Sequence, residues 1–452
     1  MNLKVALRAA GYPAARMIRS KIAVWALRGT GMVAVLALVG ALSLATASRG
    51  SDQSRSSGHN PQPSHVILGW NNLGMHCYNR DCADFLVLPP YNTLWAQVIR
   101  VDDPPQIVTS GVKIEYSFPQ NTYSAGRPRR TDKTNFWQYV GDLFGAHPAL
   151  NIGLTGKGLA GNMDAAVDHF CAEGIPLTEY NDTDVRPPQD PSLWPRHPYQ
   201  LARLVARRSD TGVKLADNTI VAPVSSELSC NMCHMDDGDA TTAYPIDPTG
   251  KVETNILALH DFLSADRYPA EYPDLLMDSR PVLCAKCHSS NALGAAGIAG
   301  IGSLSQAMHN HHKDLDDITP DTDGCFHCHP GPQTQCLRCT MSQNFALNCV
   351  DCHGTMATVA TNPDPWANEP RCDNANCHGA GYALNQPLYR LSTGHGGVYC
   401  CGCHDSPHAI AISREANDAI KFVTLQGHAG TLRDCTACHR TQPTTAFVHH
   451  AP

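Results

Sequence analysis

The sequence lacks the aromatic content that would fill an ordinary apolar core along its whole length. Aromatic side chains make up only 7% of its 452 residues, while there are 35 glycines and 32 prolines. A hydrophobic share of 42% still allows a substantial core, and the length suggests two or three domains. Part of the chain must therefore be organised by something other than apolar packing.

Acidic residues are missing from the first 47 positions, which hold six basic residues. The apolar run from Gly31 to Ala47 follows them and ends in the small residues Ala45, Thr46 and Ala47, as in an export signal. An uncleaved anchor is the alternative, but the run is marginal for a spanning helix. The sequence has no twin arginine and no cysteine before Cys77, which disfavours Tat export and lipidation. We therefore expect residues 1–47 to be a signal peptide, with no membrane anchor after cleavage.

Positive charge is scarce beyond this segment. Removing its six basic residues takes the formal net charge from −7 to −13. Such a polyanion repels phosphate backbones, so we expect no nucleic-acid partner. A basic patch on another protein is the more natural docking surface.

The segments after the signal differ in composition. Residues 48–64 are rich in Ser, Gly and Pro and are expected to be a flexible linker. Residues 65–227 contain β-rich runs, and a turn at Asp210 to Gly212 separates two predicted strands. Between the β-rich runs, Thr134 to Gly145 has helical spacing, with Thr134 as a candidate cap. We predict a mainly-β, sandwich-like N-terminal domain with a helical insertion.

Cysteine is concentrated in residues 228–452, which hold seventeen of the twenty cysteines. There, six motifs read Cys-x-x-Cys-His, and a seventh has four residues between its cysteines. The motif cysteines are Cys230, Cys233, Cys284, Cys287, Cys325, Cys328, Cys349, Cys352, Cys372, Cys377, Cys400, Cys403, Cys435 and Cys438. The histidines that follow are His234, His288, His329, His353, His378, His404 and His439. A further pair, Cys336 and Cys339, is followed by Thr340 instead.

This spacing has a direct chemical reason. Two thiols can add across the two vinyl groups of a haem, and the next histidine reaches the iron from one face as the proximal ligand. Zinc sites and disulfide frameworks are the alternatives, but neither requires histidine after every second cysteine.

Through these motifs, residues 228–452 resemble the multihaem c-type cytochromes. The resemblance implies about seven covalently attached haem c groups and an irregular domain of loops and short helices organised around porphyrins. It also implies a periplasmic location, or export to the cell surface or medium. The stretch from Gly69 to Gln97 resembles a segment found ahead of the haem region in exported multihaem cytochromes, but it assigns no residue a task.

Ten further histidines after residue 225 could supply the second axial ligands, which is enough for bis-histidine ligation of every haem. The distal candidates are His260, His309, His312, His395, His408 and His428. His408 follows His404 by four residues, so if a helix continues between them it must ligate a neighbouring haem. His449 and His450 lie near the terminus and are weaker candidates.

Six cysteines are left over. In an oxidising compartment disulfides are the default, so we expect Cys336–Cys339 and Cys77–Cys82 bonds, with Cys171 and Cys401 unpaired or joined. A redox-active or metal-binding Cys77 beside His76 is the sharper alternative. An eighth haem on Cys336 and Cys339 would need both axial ligands from elsewhere.

Two functions fit these features. The favoured one is an electron carrier with closely spaced, mainly bis-histidine haems, whose partners are other cytochromes, a quinol-linked donor or an outer-membrane conduit. The alternative is an oxidoreductase with one open haem acting on a small inorganic nitrogen or sulfur species, and the irregular site at His378 is its first suspect. No Cys-x-x-Cys-Lys variant supports a nitrite reductase. Assembly into a homo-oligomer or filament is left open.

Overall fold

A computed structural model describes residues 63–126, 132–187, 189, 191–315, 318–319, 322–369, 371–374, 377–379, 388–444 and 449. The predicted signal peptide, nearly all of the predicted linker and His450 lie outside these residues. The described chain after the linker belongs to one compact unit. Within it, no helix is long and apolar enough to cross a membrane.

The first half of the described chain is rich in β-strands, and one short strand follows later. The strands are β1 (His65–Asn71), β2 (His76–Cys77), β3 (Phe85–Leu86), β4 (Thr93–Arg100), β5 (Gln106–Val108), β6 (Val112–Ser117), β7 (Ala160–Asn162), β8 (Asp164–Ala165), β9 (Phe170–Glu173), β10 (Tyr199–Arg208), β11 (Lys214–Ser225) and β12 (Val282–Leu283). One sheet has the order β1-β4-β9-β8, with β5 also paired to β4. The other has the order β2-β11-β10-β6-β7.

These two sheets share one apolar core. Its buried side chains come from β1, β4 and β9 of the first sheet and from β6, β10 and β11 of the second. The sheets approach closely at Gly69, where a Cβ atom would lie 2.4 Å from a methyl carbon of Leu204. The prediction of a β-rich N-terminal region is confirmed.

Two local predictions in this region can be compared with the structure. The antiparallel pair β10–β11 closes through the turn predicted at Asp210 to Gly212, and Gly212 adopts a positive φ of 71°. The helical insertion is α1 (Phe136–Phe144), whose N-cap residue is Asn135 and not Thr134. The Thr134 hydroxyl still accepts a hydrogen bond from the Phe136 N–H at 3.2 Å.

The second half consists of short helices and loops, as predicted. Its α-helices are α2 (Asn231–His234), α3 (Asp239–Thr242), α4 (Val252–Ser264), α5 (Leu304–His312), α6 (Thr322–Cys325), α7 (Thr340–Phe345), α8 (Cys349–His353), α9 (Met356–Thr361), α10 (Cys400–His404) and α11 (Ile420–Gln426). Short 3₁₀ turns lie between several of them. Only a few of the buried apolar side chains belong to this half.

The β-rich half contacts the second half at separated places. Strand β12 pairs in parallel with β3, directly before Cys284. Far along the chain, Asp102 forms a β-bridge with His439. Between these points, the buried Lys421 ammonium donates to the Gly69 carbonyl at 3.1 Å. The cysteine-rich half is therefore held against the sheets along its length.

Candidate functional site

Each of the six Cys-x-x-Cys-His motifs is shaped by one helical turn. The backbone N–H of the motif histidine donates to the carbonyl of the first cysteine, four residues earlier, at 2.9 Å for His234 and 2.8 Å for His439. Motifs at Cys349 and Cys400 are whole short helices, α8 and α10. A tight turn of this kind keeps both thiols and the imidazole within reach of one bound group.

Six motif histidines each face a second imidazole, with ring centroids 5.7–6.4 Å apart. The pairs are His234 with His312, His288 with His260, His329 with His309, His353 with His408, His439 with His395, and His404 with His449. In every pair, one ring comes from a motif and the other from outside all motifs.

This separation fits a metal between the rings. Metal–nitrogen bonds to histidine are about 2 Å long, and a ring centroid lies about 1 Å behind its nitrogen, so two axial imidazoles place their centroids roughly 6 Å apart. Ordinary aromatic pairs have centroids about 4.5–7 Å apart, so the distance alone does not single out a metal. The recurrence does, since six motif histidines each face one histidine from outside the motifs. The pairs therefore have the spacing of two axial ligands of one iron, beside two thiols from the same motif.

Hydrogen bonds fix the tautomer of three of these rings, two of them distal candidates and one a motif histidine. Nδ1 of His309 donates to the Ser305 carbonyl at 2.7 Å, and Nδ1 of His312 donates to the Met308 carbonyl at 2.7 Å. Nδ1 of the motif residue His288 donates to the Gly302 carbonyl at 2.9 Å. Because a carbonyl only accepts, Nδ1 carries the proton and Nε2 keeps the lone pair that a metal needs.

Desolvation keeps some of these imidazoles neutral. It lowers the pKa of the half-buried His234 to about 4, with the His312 ring adding to the shift. Desolvation likewise lowers the pKa of the half-buried His408 to about 3. At neutral pH these rings are uncharged, which is the form that binds metal.

The motif cysteines are half-buried or exposed, and desolvation raises the pKa of Cys230 to about 11 and of Cys284 to about 12. Among the described residues, no group of three or more His, Cys, Asp or Glu side chains could hold a bare metal ion. The two imidazoles and two thiols of a site are therefore not gathered around one point, as the four ligands of structural zinc are.

The structure brings five of the six predicted distal histidines opposite a motif histidine. His260, His309, His312, His395 and His408 each face a motif histidine. His428 is exposed, and Nδ1 of its ring donates to the neighbouring Ala429 carbonyl at 2.9 Å. No motif ring faces His428 in the described part of the chain. The partner of His404 is His449, which its terminal position made a weak candidate.

The helix that would continue from His404 to His408 does not form. Helix α10 ends at His404, and Asp405 and His408 both have positive φ, 77° and 62°. The chain turns back, so the His408 ring reaches a different motif, that of His353. The seventh motif histidine, His378, is exposed and lies near His404, whose pKa it lowers after burial and His449.

The predicted Cys336–Cys339 and Cys77–Cys82 disulfides are absent from the structure, in which the six surplus cysteines are free. Cys77 lies on β2, whereas Cys82 packs in a separate apolar cluster with Phe136. Cys171 is on β9, and Cys401 is fully buried in α10.

The backbone gives a reason for the absence of a Cys336–Cys339 bond. Cys339 has an extended backbone, with φ −77° and ψ 168°. The N–H groups of Arg338 and Thr340, on either side of it, donate to the His408 and Ile410 carbonyls, so the segment is paired with a distant part of the chain. Extended backbone works against the Cα separation of less than about 7 Å that a disulfide needs.

No known family model, curated protein or solved structure matches the chain. The motifs and the geometry of the paired imidazoles are therefore the observations that bear on function.

Proposed function

We propose that the protein is an exported multihaem c-type cytochrome that carries electrons along a row of bis-histidine haem sites. The observation that carries the proposal is the set of six facing imidazole pairs, each beside a Cys-x-x-Cys-His motif. Haem c, when bound, supplies a one-electron ferrous–ferric couple. The motif cysteines would hold it covalently, and the paired histidines would occupy both axial positions and exclude other ligands.

Shared elements support a continuous row rather than isolated sites. Helix α4 carries His260, which faces His288, and its Asn255 side chain donates to the His234 carbonyl at 2.9 Å. The motifs at Cys284 and Cys230 are therefore neighbours. Helix α5 carries His312 toward His234 and His309 toward His329, three residues apart, so the motifs at Cys230 and Cys325 are neighbours too.

The row continues through the remaining motifs. His353 lies near enough to His329 to contribute to the fall of its pKa, after burial and His309. Burial raises the pKa of Cys352, and the nearby Cys339 and Cys377 raise it further. Since Cys377 belongs to the irregular motif, that motif would follow the Cys349 motif in the row.

The last three motifs share one apolar cluster against β1, which contains Cys372, Cys400 and Cys438. The Leu432 N–H also donates to the Cys403 carbonyl at 2.9 Å. The order of sites is therefore that of the motif histidines His288, His234, His329, His353, His378, His404 and His439.

This order has functional consequences. Electrons would enter and leave at the terminal sites, those of His288 and His439. The partners would be soluble cytochromes, a quinol-linked donor or an outer-membrane conduit that presents basic surface to this acidic protein. The location would be the periplasm or the cell exterior.

An anaerobic redox titration of the purified protein, followed optically and by electron paramagnetic resonance, tests this proposal. We expect low-spin haems throughout the six paired sites and successive one-electron steps at low potential, since two imidazoles fill each iron. A protein whose ferric haems are mainly high-spin would contradict the proposal. A single high-spin haem whose signal shifts with nitrite or cyanide would instead favour the oxidoreductase alternative.

A further inference from the structure

The segment Cys336–Cys339 resembles a haem motif but lacks its histidine, and its Arg338 is among the most buried charged residues. The Arg338 side chain is 1% exposed, and Nε donates to the Asp418 carboxylate at 2.7 Å, with Asp418 4% exposed. A buried pair of this kind is a poor source of net stability, because desolvation offsets the attraction between the charges. Its value lies in fixing geometry.

The Arg338 guanidinium also joins the two halves of the molecule. Its Nη1 donates to the Gly74 carbonyl at 3.0 Å, in the loop before β2. The same group lies over the Tyr199 ring of β10, 4.6 Å from its centroid. The position of Arg338 is therefore set by the β-rich half.

The backbone of Arg338 is hydrogen-bonded to the segment that contains His408. The Arg338 N–H donates to the His408 carbonyl at 3.1 Å, and the Thr340 N–H donates to the Ile410 carbonyl at 2.9 Å. The Arg338 carbonyl accepts from the Arg414 N–H at 3.0 Å. The two segments thus pair like short strands.

His408 needs such support. Its φ of 62° is a left-handed conformation that disfavours a residue with a Cβ atom and persists where the surroundings enforce it. Its side chain is half-buried, and its ring lies 6.1 Å from that of His353. A turn that relaxed to negative φ would swing this ring away from His353.

We propose that Arg338 is a positioning residue, which holds His408 opposite His353 through the paired backbone segments. The inference rests on the proposed function, in which His353 and His408 are the axial ligands of the haem attached at Cys349 and Cys352. The segment Cys336–Cys339 is then a support for a neighbouring haem site and holds no haem of its own.

Gly74 offers a second way to disturb the same turn. It has a φ of 79°, and a Cβ atom there would lie 1.7 Å from the Pro407 carbonyl oxygen. The Gly74→Ala substitution therefore pushes directly on the residue before His408. It keeps the charge of Arg338, whose guanidinium donates to the Gly74 carbonyl.

The test compares Arg338→Gln, Gly74→Ala and His408→Ala in the full-length holoprotein. We expect each to convert about one haem in seven to a high-spin form that binds carbon monoxide when reduced. The double variant Arg338→Gln with His408→Ala should show no more high-spin haem than His408→Ala alone, because both act on one site. Arg338→Lys should restore part of the low-spin signal.

The matched control is Arg390→Gln. Arg390 also pairs with a carboxylate, Glu369 at 3.0 Å, and lies over an aromatic ring, Trp366 at 5.4 Å, but it does not contact the His408 segment. It should leave the spin state unchanged.

Intact mass and spin state together distinguish a failure of the proposed function from a failure of the positioning role of Arg338. A parent protein with two or fewer haems would overturn the proposed function. Seven haems in Arg338→Gln and in Gly74→Ala with no more high-spin haem than the parent protein would overturn the positioning role alone, as would an additive double variant.

Discussion

At the scale of single residues, His449 is the side chain with the most direct consequence. Its ring lies 5.7 Å from that of His404 and is inclined to it by only 14°. The His404 imidazole is kept neutral by burial, His449 and His378, which together lower its pKa to about 4. A neutral ring facing another at this distance is suited to share one metal.

We therefore expect His449→Ala to open the site of His404. About one haem in seven should become high-spin and bind carbon monoxide in the ferrous state, measured by optical difference spectra. His428→Ala is the matched control, because His428 is exposed and lies in the same C-terminal region. A spectral change in His428→Ala and none in His449→Ala would contradict this ligand assignment.

The residues proposed to attach haem can be identified from the sequence because the motif is local. Two cysteines and a histidine within one helical turn carry the whole motif, so Cys435, Cys438 and His439 need no tertiary information. The distal partners are different, since His395 and His439 are brought together by the fold. Ten candidate histidines for seven motifs left that choice open.

At the scale of elements, helix α5 carries two histidines that face two different motif histidines. Its first turn is closed by a capping box between Ser303 and Gln306, and the Ala307 N–H donates to the Ser303 carbonyl at 2.9 Å. His309 and His312 follow in the last turn. Since both rings depend on one short helix, they should be lost together.

We expect Ala307→Pro to open the sites of His234 and His329 in the same protein. Proline removes the Ala307 hydrogen bond and destabilises a helix interior by about 3 kcal/mol. The high-spin fraction, measured by electron paramagnetic resonance, should reach about two haems in seven. The matched control Ala307→Gly keeps the N–H group and costs about 1 kcal/mol of helix stability, so it should change far less. Loss of only one low-spin site would show that the two rings are positioned independently.

Patterns along the chain predicted elements where local periodicity decides the structure. The strands β10 and β11 with their turn, and helix α1, follow from alternation and helical spacing. The predicted Cys336–Cys339 disulfide failed because those residues lie in an extended segment paired with the chain from His408. That pairing joins residues about seventy positions apart, which no local pattern reveals.

At the scale of the whole molecule, the β-rich half lies beside both ends of the proposed row. Next to the motif at Cys284, β12 pairs with β3. At the other end, His439 bridges to Asp102, and its Nδ1 lies 3.4 Å from the Asp103 carboxylate. A rigid double sheet can thus keep the terminal sites at a fixed separation, which a loop-rich domain alone could not do.

In the proposed function, the seven motifs each hold one haem while Cys336 and Cys339 hold none. Intact mass spectrometry of the exported protein, together with peptide mapping and a pyridine haemochrome assay, measures this directly. We expect a mass increase of seven haems, with Cys336 and Cys339 recovered in unmodified, unlinked form. Two or fewer haems per chain would contradict it.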